Sequence, residues 1–178
     1  MKKTIIALII IFAFISVIIR LVPHPANFAP IGALALFAGV YLPKKWSLIL
    51  PITLMLISDI FVGFYDPRLM AVVYSCFLLT AVIGWSVKKN KNILTILTAS
   101  LGMSVFFFLA TNLAVWAFSE WYPHNFGGLM LSYYLAVPFF RNTLFGDLFF
   151  TAVFFGVYEL IRLRLFKPIF TKEIKIRS

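Results

Sequence analysis

Residues 88–118 read KKNKNILTILTASLGMSVFFFLATNLAVWAF, a basic cluster followed by an apolar run, Ile93 to Phe118, that contains no charged residue. A bilayer core about 30 Å thick needs about 20 helical residues and offers no water to a free backbone. The run therefore predicts a transmembrane helix. The same reasoning predicts five more helices over other apolar runs, namely Ile5 to Val22, Pro30 to Leu42, Trp46 to Phe64, Leu69 to Val87 and Phe139 to Phe166.

The composition indicates an all-α integral membrane protein that forms one domain over residues 1–178. Of these residues 62% are hydrophobic and only 12% are charged, which is more apolar than a soluble core needs. The net charge of +10 would also fit a nucleic-acid partner, but the basic residues form short clusters between and beyond the apolar runs. That pattern is typical of membrane topology and excludes nucleic acid as the expected partner.

Charge counting predicts the orientation. With the N-terminus in the cytoplasm, 13 of the 16 Lys and Arg residues face the cytoplasm, and only Arg20, Arg68 and Arg141 lie outside. The positive-inside rule thus predicts cytoplasmic N- and C-termini, in a bacterial cytoplasmic (inner) membrane. The acidic residues Asp59, Asp66, Glu120 and Asp147 then fall in the outer half, where we expect the function to lie.

Two segments depart from a regular bundle. The second predicted helix, Pro30 to Leu42, is shorter than the hydrocarbon thickness, and the prolines of the preceding stretch Pro23 to Pro30 disfavour helix there. This stretch is predicted to be irregular backbone lining a cavity; the alternative is an ordinary external loop with the helix extended by a turn. The segment Gly127 to Val137 is too short to span and is predicted to lie at the interface or to dip in.

Polar groups within the predicted spans are the candidate site residues, because their burial in lipid is costly. Asp59 needs a cationic partner, for which Arg20, Arg68 or Arg141 is in reach, either as a structural ion pair or as a substrate ligand. Arg141 offers a fork of donors to a ligand, or else extends to the interface. The remaining pocket candidates, taken from their depth and side, are Asn27, Asn112, Asn142 and Asp147.

The single cysteine, Cys76, lies about 10 Å below the predicted outer surface in the fourth helix. A lone thiol there is either a small packing residue or a soft ligand for a transition metal. His24 and His124 are the imidazoles available from the outer loops, although no local spacing of His and Cys supports a structural zinc site.

Small residues Gly32, Ala35 and Gly39 form one stripe on the second predicted helix. Such a stripe allows close helix packing, either within the bundle or against a partner membrane subunit. The chain contains no GxxxxGK[ST], HExxH or GxSxG motif, so a P-loop ATPase, a zinc protease and a serine hydrolase are not indicated.

Three motifs, HPANFAPIGALALFAG (residues 24–39), LPITLMLISDIFVGF (50–64) and VPFFRNTLFGDLFFT (137–151), resemble a group of small six-helix bacterial membrane proteins. That group is similar to the substrate-binding S components of energy-coupling factor transporters, and the best understood relatives are the solitary cobalamin-transport S components. The resemblance covers residues 24–155. In those relatives a histidine near the second helix and a cysteine in a later helix face the corrinoid, and the cysteine sulfur ligates cobalt.

The resemblance implies a function in vitamin uptake, with cobalamin as the transported ligand and no intrinsic cofactor. His24 and Cys76 match the two corrinoid-facing residues in order and approximate spacing, so Cys76 is the expected cobalt ligand. A scaffold subunit of an energy-coupling factor complex would dock on Gly32, Ala35 and Gly39. The alternatives are a membrane enzyme that uses Asp59 or Asp147 as a base on a lipid or corrinoid, and a structural accessory subunit.

Overall fold

The computed structural model describes residues 2–165, which form six α-helices and no strand. The helices are α1 (Lys2–Leu21), α2 (Ile31–Tyr41), α3 (Lys44–Val62), α4 (Pro67–Val87), α5 (Ile93–Phe118) and α6 (Phe126–Leu165). The all-α prediction is confirmed, and the predicted bounds of the first five helices differ from these by at most three residues. The predicted end of the last helix at Phe166, like the basic residues from Lys167 onward, lies outside the described residues.

Five of the six helices are long and apolar enough to cross a membrane, and α2 is the exception with 11 residues. The connections at residues 22–30, 63–66 and 119–125 share one end of the bundle, where Arg68 Nη2 donates to the carbonyl of Phe118 at 3.0 Å. We call this the loop end. At the opposite end Lys44 stacks over the Trp85 ring and Lys91 over the Tyr41 ring. We call this the basic end.

Helix α2 lies in the centre of the bundle and contacts all five other helices. Every residue from Ala33 to Val40 is buried. A Cβ at Gly39 would overlap the carbonyl oxygen of Ala81, because the backbones of α2 and α4 approach each other there at Gly39 and Gly84. Small side chains therefore allow this helix to be enclosed on all sides.

The stripe of Gly32, Ala35 and Gly39 is used inside the chain. Gly39 faces α4, Gly32 faces Asp147 of α6, and Ala35 has no exposed surface. These contacts fit the intramolecular alternative of the sequence interpretation. Ala35 and Gly39 are buried in the bundle, whereas Gly32 is half-buried and lines the cavity described below.

The aromatic core fills the bundle around α2, on the side of the basic end. Phe12 of α1 stacks on Phe154 of α6 with ring centroids 4.2 Å apart, and Phe37 of α2 meets both rings edge-on. Tyr41 and Tyr158 continue this cluster. This packing holds α1, α2 and α6 in fixed positions relative to each other below the cavity that is described in the next subsection.

The last helix corrects the prediction for Gly127 to Val137. This segment does not form a separate short element but is the first part of α6, a continuous helix of 40 residues with Pro138 inside it. Pro138 removes one helical hydrogen bond, but α5 supports the segment: the Tyr133 hydroxyl donates to the Leu109 carbonyl at 2.9 Å, and the Phe108 ring packs against Tyr133 and Phe140. Asn125 caps the start by accepting from the amide of Gly128 at 2.8 Å.

Candidate functional site

A cavity of about 340 Å³ lies at the loop end, above the start of α2. Its polar lining comes from four parts of the chain: Arg20 of α1, His24 and Asn27 of the following loop, Tyr65 after α3, and Thr143 and Asp147 of α6. Its apolar lining includes Met55, Phe77 and Phe107. A largely apolar cavity with a few convergent polar groups is the usual form of a small-molecule site.

The loop that covers one side of the cavity is irregular, as predicted, and no part of residues 22–30 is helical. Asn27 takes the left-handed conformation with φ 65°, which asparagine tolerates better than most residues. The backbone is held to α6 because Asn142 Nδ2 donates to the Ala26 carbonyl at 3.0 Å, and Gly146 lies against Phe28. The predicted candidate Asn142 thus anchors the loop rather than lining the cavity.

Asp59 is fully buried and makes an ion pair with Arg20, whose Nη2 lies 2.8 Å from Asp59 Oδ1. Its second oxygen accepts from the Tyr74 hydroxyl at 2.5 Å. Of the three arginines in reach by sequence, Arg20 is therefore the partner. The pair ties α1, α3 and α4 together, and Asp59 itself does not line the cavity.

Both terminal nitrogens of the Arg20 guanidinium make contacts with neighbouring side chains. Nη2 donates to Asp59, and Nη1 donates to Ser58 Oγ and contacts Met55 Sδ at 2.9 Å. Arg20 therefore borders the cavity with its charge already neutralised. Tyr65 lies beside it, and burial, with a smaller contribution from the Asp59 carboxylate, raises the pKa of Tyr65 to about 12, so the phenol is neutral at ordinary pH.

Asp147 presents a different carboxyl group, which is partly accessible from the cavity. Its Oδ2 accepts from Ser104 Oγ of α5 at 2.7 Å, and its Oδ1 lies against Gly32, where any Cβ would collide with it. The ion pairs among residues 2–165 join Arg20 to Asp59, Arg68 to Asp66 and Arg162 to Glu159, and none includes Asp147.

Cys76 is not brought together with His24. The thiol is only 2% exposed and faces a separate groove between α4 and α5, lined also by Val72 and Phe106, whereas α4 presents Val73 and Phe77 to the cavity. Among the described residues no group of three or more His, Cys, Asp and Glu side chains is arranged to hold a metal ion. His24 lines the cavity, and its Nδ1 lies 2.8 Å from the Val22 carbonyl.

The remaining sequence candidates lie outside the cavity lining. Arg141 is exposed, and Asn112 bonds within its own helix, with Nδ2 donating to the Phe108 carbonyl at 2.7 Å. His124 lies 3.2 Å from the Ser119 carbonyl in the loop before α6. Of the predicted site residues, the structure thus assembles His24, Asn27 and Asp147 at one cavity and separates the other five from it.

Sequence reasoning missed Ser104 and Thr143. A detectable signal existed for Ser104, because Ser100 and Ser104 are four apart on α5, as are Asp147 and Thr151 on α6, so each pair occupies one helix face. The two faces meet: Ser104 bonds to Asp147, and Ser100 Oγ lies 3.1 Å from Thr151 Oγ1. A row of polar groups thus runs from the cavity into the bundle.

Over the described residues, fold and site together define a helical bundle, with helices compatible with a multi-pass membrane protein and a partly polar cavity at one end. The model of DUF6580, a family of unknown function, matches residues 1–170, and the chain belongs to that family. Comparison with curated proteins gives no match, and comparison with solved structures gives none.

Proposed function

We propose that this chain is a multi-pass protein of the bacterial cytoplasmic membrane that binds a vitamin-type small molecule for uptake. The observation that carries the proposal is the cavity at the loop end, which is floored by the enclosed helix α2 and bordered by Arg20, His24, Asn27 and Asp147. A cavity of about 340 Å³ is near the lower end of the range of about 300–1,000 Å³ that small-molecule sites occupy.

The proposed orientation has the loop end outside and both termini in the cytoplasm. The distribution of charge supports it, because Lys44, Lys45, Lys88, Lys89 and Lys91 cluster near the basic end, while Arg20, Arg68 and Arg141 belong to the loop end. The ligand would then enter the cavity from outside. Release to the cytoplasm would require a tilt or rearrangement of the bundle, since α2 closes the path below.

Cobalamin remains one candidate ligand within this proposal, on the strength of the resemblance to cobalamin-transport S components. Two features favour a smaller molecule. A corrinoid greatly exceeds the drug-sized ligands that cavities of this volume hold, and Cys76 faces another groove from His24. Cobalt capture by Cys76 would therefore require α4 and the loop before α2 to move relative to each other.

The alternative of a membrane enzyme has less support. Both oxygens of Asp59 are occupied by Arg20 and Tyr74, which leaves Asp147 as the carboxyl group that a substrate in the cavity would meet. Formation of a product by the purified protein, without net transport into vesicles, would favour this alternative.

The test is to purify the full chain from cells grown with mixed vitamins and to identify bound small molecules by mass spectrometry and absorbance. Val73→Phe places a larger side chain in the cavity, and Val72→Phe places the same side chain in the groove beside Cys76. We expect a molecule that is retained by the parent and by Val72→Phe but lost from Val73→Phe. If the parent protein retains no more of any bound small molecule than Val73→Phe does, the result contradicts the proposal. A corrinoid absorbance spectrum that disappears in Cys76→Ala would identify cobalamin.

A further inference from the structure

Three polar groups of the cavity, His24, Thr143 and Asp147, present hydrogen-bond acceptors to a ligand. The Nδ1 of His24 donates to the Val22 carbonyl, because a carbonyl oxygen only accepts, and Nε2 of the neutral ring is then an acceptor. The Thr143 hydroxyl donates its proton to the Phe139 carbonyl at 3.0 Å, which leaves lone pairs on Oγ1. With the terminal nitrogens of Arg20 engaged, the lining offers acceptors to a ligand that has hydrogen atoms or positive charge to share.

The charges of the cavity lining also favour a positively charged ligand. Arg20 is neutralised by Asp59, whereas Asp147 has no cationic partner among the described residues. Burying an ionised carboxylate without a counter-charge costs free energy. Such a group is therefore stabilised either by a bound proton or by a bound cation. In its ionised form, Asp147 is the one uncompensated charge on the cavity lining.

The apolar walls suit an organic cation. The rings of Phe77 and Phe107 lie side by side with centroids 5.6 Å apart, and Tyr65 contributes a third ring to the lining. Aromatic faces attract ammonium groups through the negative charge of their π systems. A carboxylate and aromatic rings in one lining suit an alkylammonium better than a bare metal ion, for which additional oxygen ligands would be needed.

Ser104 allows Asp147 to exist in two protonation states. Its Oγ lies 2.7 Å from Asp147 Oδ2 and 3.0 Å from the Ser100 carbonyl, yet the hydroxyl has a single proton. A protonated Asp147 donates to Ser104, which donates onward to the carbonyl, so both contacts hold a proton. An ionised Asp147 accepts the Ser104 proton instead. Rotation of one hydroxyl therefore accommodates both forms.

We propose that the cavity binds a small monovalent organic cation, an alkylammonium of about the size of choline, at the Asp147 carboxylate, and that the cation displaces a proton from it. The inference rests on the proposed function and names its substrate class. In the binding step the O–H bond of Asp147 breaks, the proton leaves to water through the cavity mouth, and the electron pair stays on the carboxylate, which then faces the ammonium. No charge is added to the cavity in the exchange.

The other titratable groups around Asp147 are few. Helix α1 contributes Arg20, the loop before α2 contributes His24, and the connection after α3 contributes Tyr65. The cavity lining from α2, α4 and α5 contains no titratable side chain, Asp59 and Tyr74 lie behind Arg20, and Arg141 is exposed on α6 itself. A His24→Gln variant therefore separates any contribution of the His24 imidazole from that of Asp147.

The first test measures binding of choline and of its neutral isostere, 3,3-dimethyl-1-butanol, to the full chain in detergent at about pH 8. We expect choline to bind at least about tenfold more tightly, because only the ammonium meets a carboxylate and aromatic faces. Asp147→Asn keeps the size of the side chain and its contact with Ser104, and we expect it to lose most of the preference for choline, retaining only the part that the aromatic faces provide. Asp66→Asn removes a carboxylate outside the cavity lining at the same end of the bundle and should leave the preference for choline intact.

The second test uses pH and needs no variant, which keeps the inference open to refutation if Asp147→Asn fails to fold. Choline carries a permanent charge, so any pH dependence of its binding belongs to the protein. Below the pH at which Asp147 titrates, we expect its affinity to fall about tenfold per pH unit, with about one proton released per choline bound. Calorimetry in two buffers of different ionisation enthalpy counts that proton, and His24→Gln should show the same dependence.

Equal binding of choline and the neutral isostere by the parent, or choline binding independent of pH from about pH 4 to pH 8, would overturn the cation assignment. That result is distinguishable from failure of the proposed function. A neutral or anionic molecule that co-purifies with the parent and is lost from Val73→Phe refutes the cation and leaves the uptake proposal standing. Absence of any bound molecule and of any choline binding refutes both.

Discussion

Two carboxyl groups at the loop end of the bundle have opposite environments. Asp59 is fully buried, and both of its oxygens are bonded, to Arg20 and to Tyr74. Asp147 is open to the cavity, and within residues 2–165 it has one hydrogen-bond donor, Ser104, and no cationic partner. Aspartate thus has two different roles in this bundle. The carboxylate of Asp59, whose charge is compensated, holds helices together, whereas the carboxyl group of Asp147, which lacks a counter-charge, is available to a ligand or a proton.

The largest expected effect comes from breaking the compensated pair. Asp59→Ala leaves the mostly buried Arg20 without a counter-charge and should lower the free energy of unfolding in micelles by about 3–5 kcal/mol. The double variant Arg20→Met with Asp59→Leu should recover much of that loss, since no charge remains uncompensated. Asp147→Ala is the matched control, and we expect it to lower the free energy of unfolding by less. Equal decreases for Asp59→Ala and Asp147→Ala would contradict the distinction between the two carboxyl groups.

A smaller effect is expected from crowding Asp147. In Gly32→Ala the new Cβ meets Asp147 Oδ1, so the carboxyl group must turn away from Ser104, at a cost of about 1–2 kcal/mol in unfolding free energy. Gly102→Ala is the matched control on α5, where a Cβ meets nothing within 4 Å, and it should be neutral or stabilising. A Gly32→Ala protein as stable as Gly102→Ala, with unchanged binding of choline, would show that the position of Asp147 is not set by this glycine.

The smallest effect concerns a third carboxyl group, that of the partly exposed Asp66. Hydrogen bonds from the side chain and backbone of Arg68 lower the pKa of Asp66 to about 2, so its contribution to stability is present above the unfolded pKa near 4 and is lost as the pH falls toward 2. The melting temperatures of the parent and Asp66→Asn should therefore differ slightly at pH 6 and converge as the pH approaches 2. A difference that persists at pH 2 would contradict this assignment.

Much of the fold follows from hydropathy, because an apolar run such as Ile93 to Phe118 has few alternatives to a helix. The continuity of α6 does not follow in the same way. Pro138 and the two glycines after Asn125 suggest a break, and only the contacts with α5 at Phe108 and Leu109 explain why the helix continues. Local propensity was overridden by packing, which no single-sequence reading of that segment includes.

The candidate site, like the fold, could be predicted only in part from the sequence. Asp147 and the irregular loop with His24 and Asn27 could be found from polarity and proline spacing, and they do share the cavity. Cys76 could not be placed, because the face it occupies depends on the rotation of α4 against α5: three positions earlier Val73 lines the cavity, whereas Cys76 does not. The rotation of a helix that is apolar on every side is set by neighbours rather than by its own pattern.

The enclosure of α2 has a consequence for how the chain reaches its final form. An 11-residue helix is too short to be recognised as an independent span during synthesis, and its small-residue faces gain little from lipid. Its close partners, the backbone of α4 around Ala81 and the side chain of Asp147 on α6, are made later. In a chain inserted as proposed above, we therefore expect helix α2 to take its place only after the C-terminal half is present, so that the floor of the cavity would be among the last parts to form.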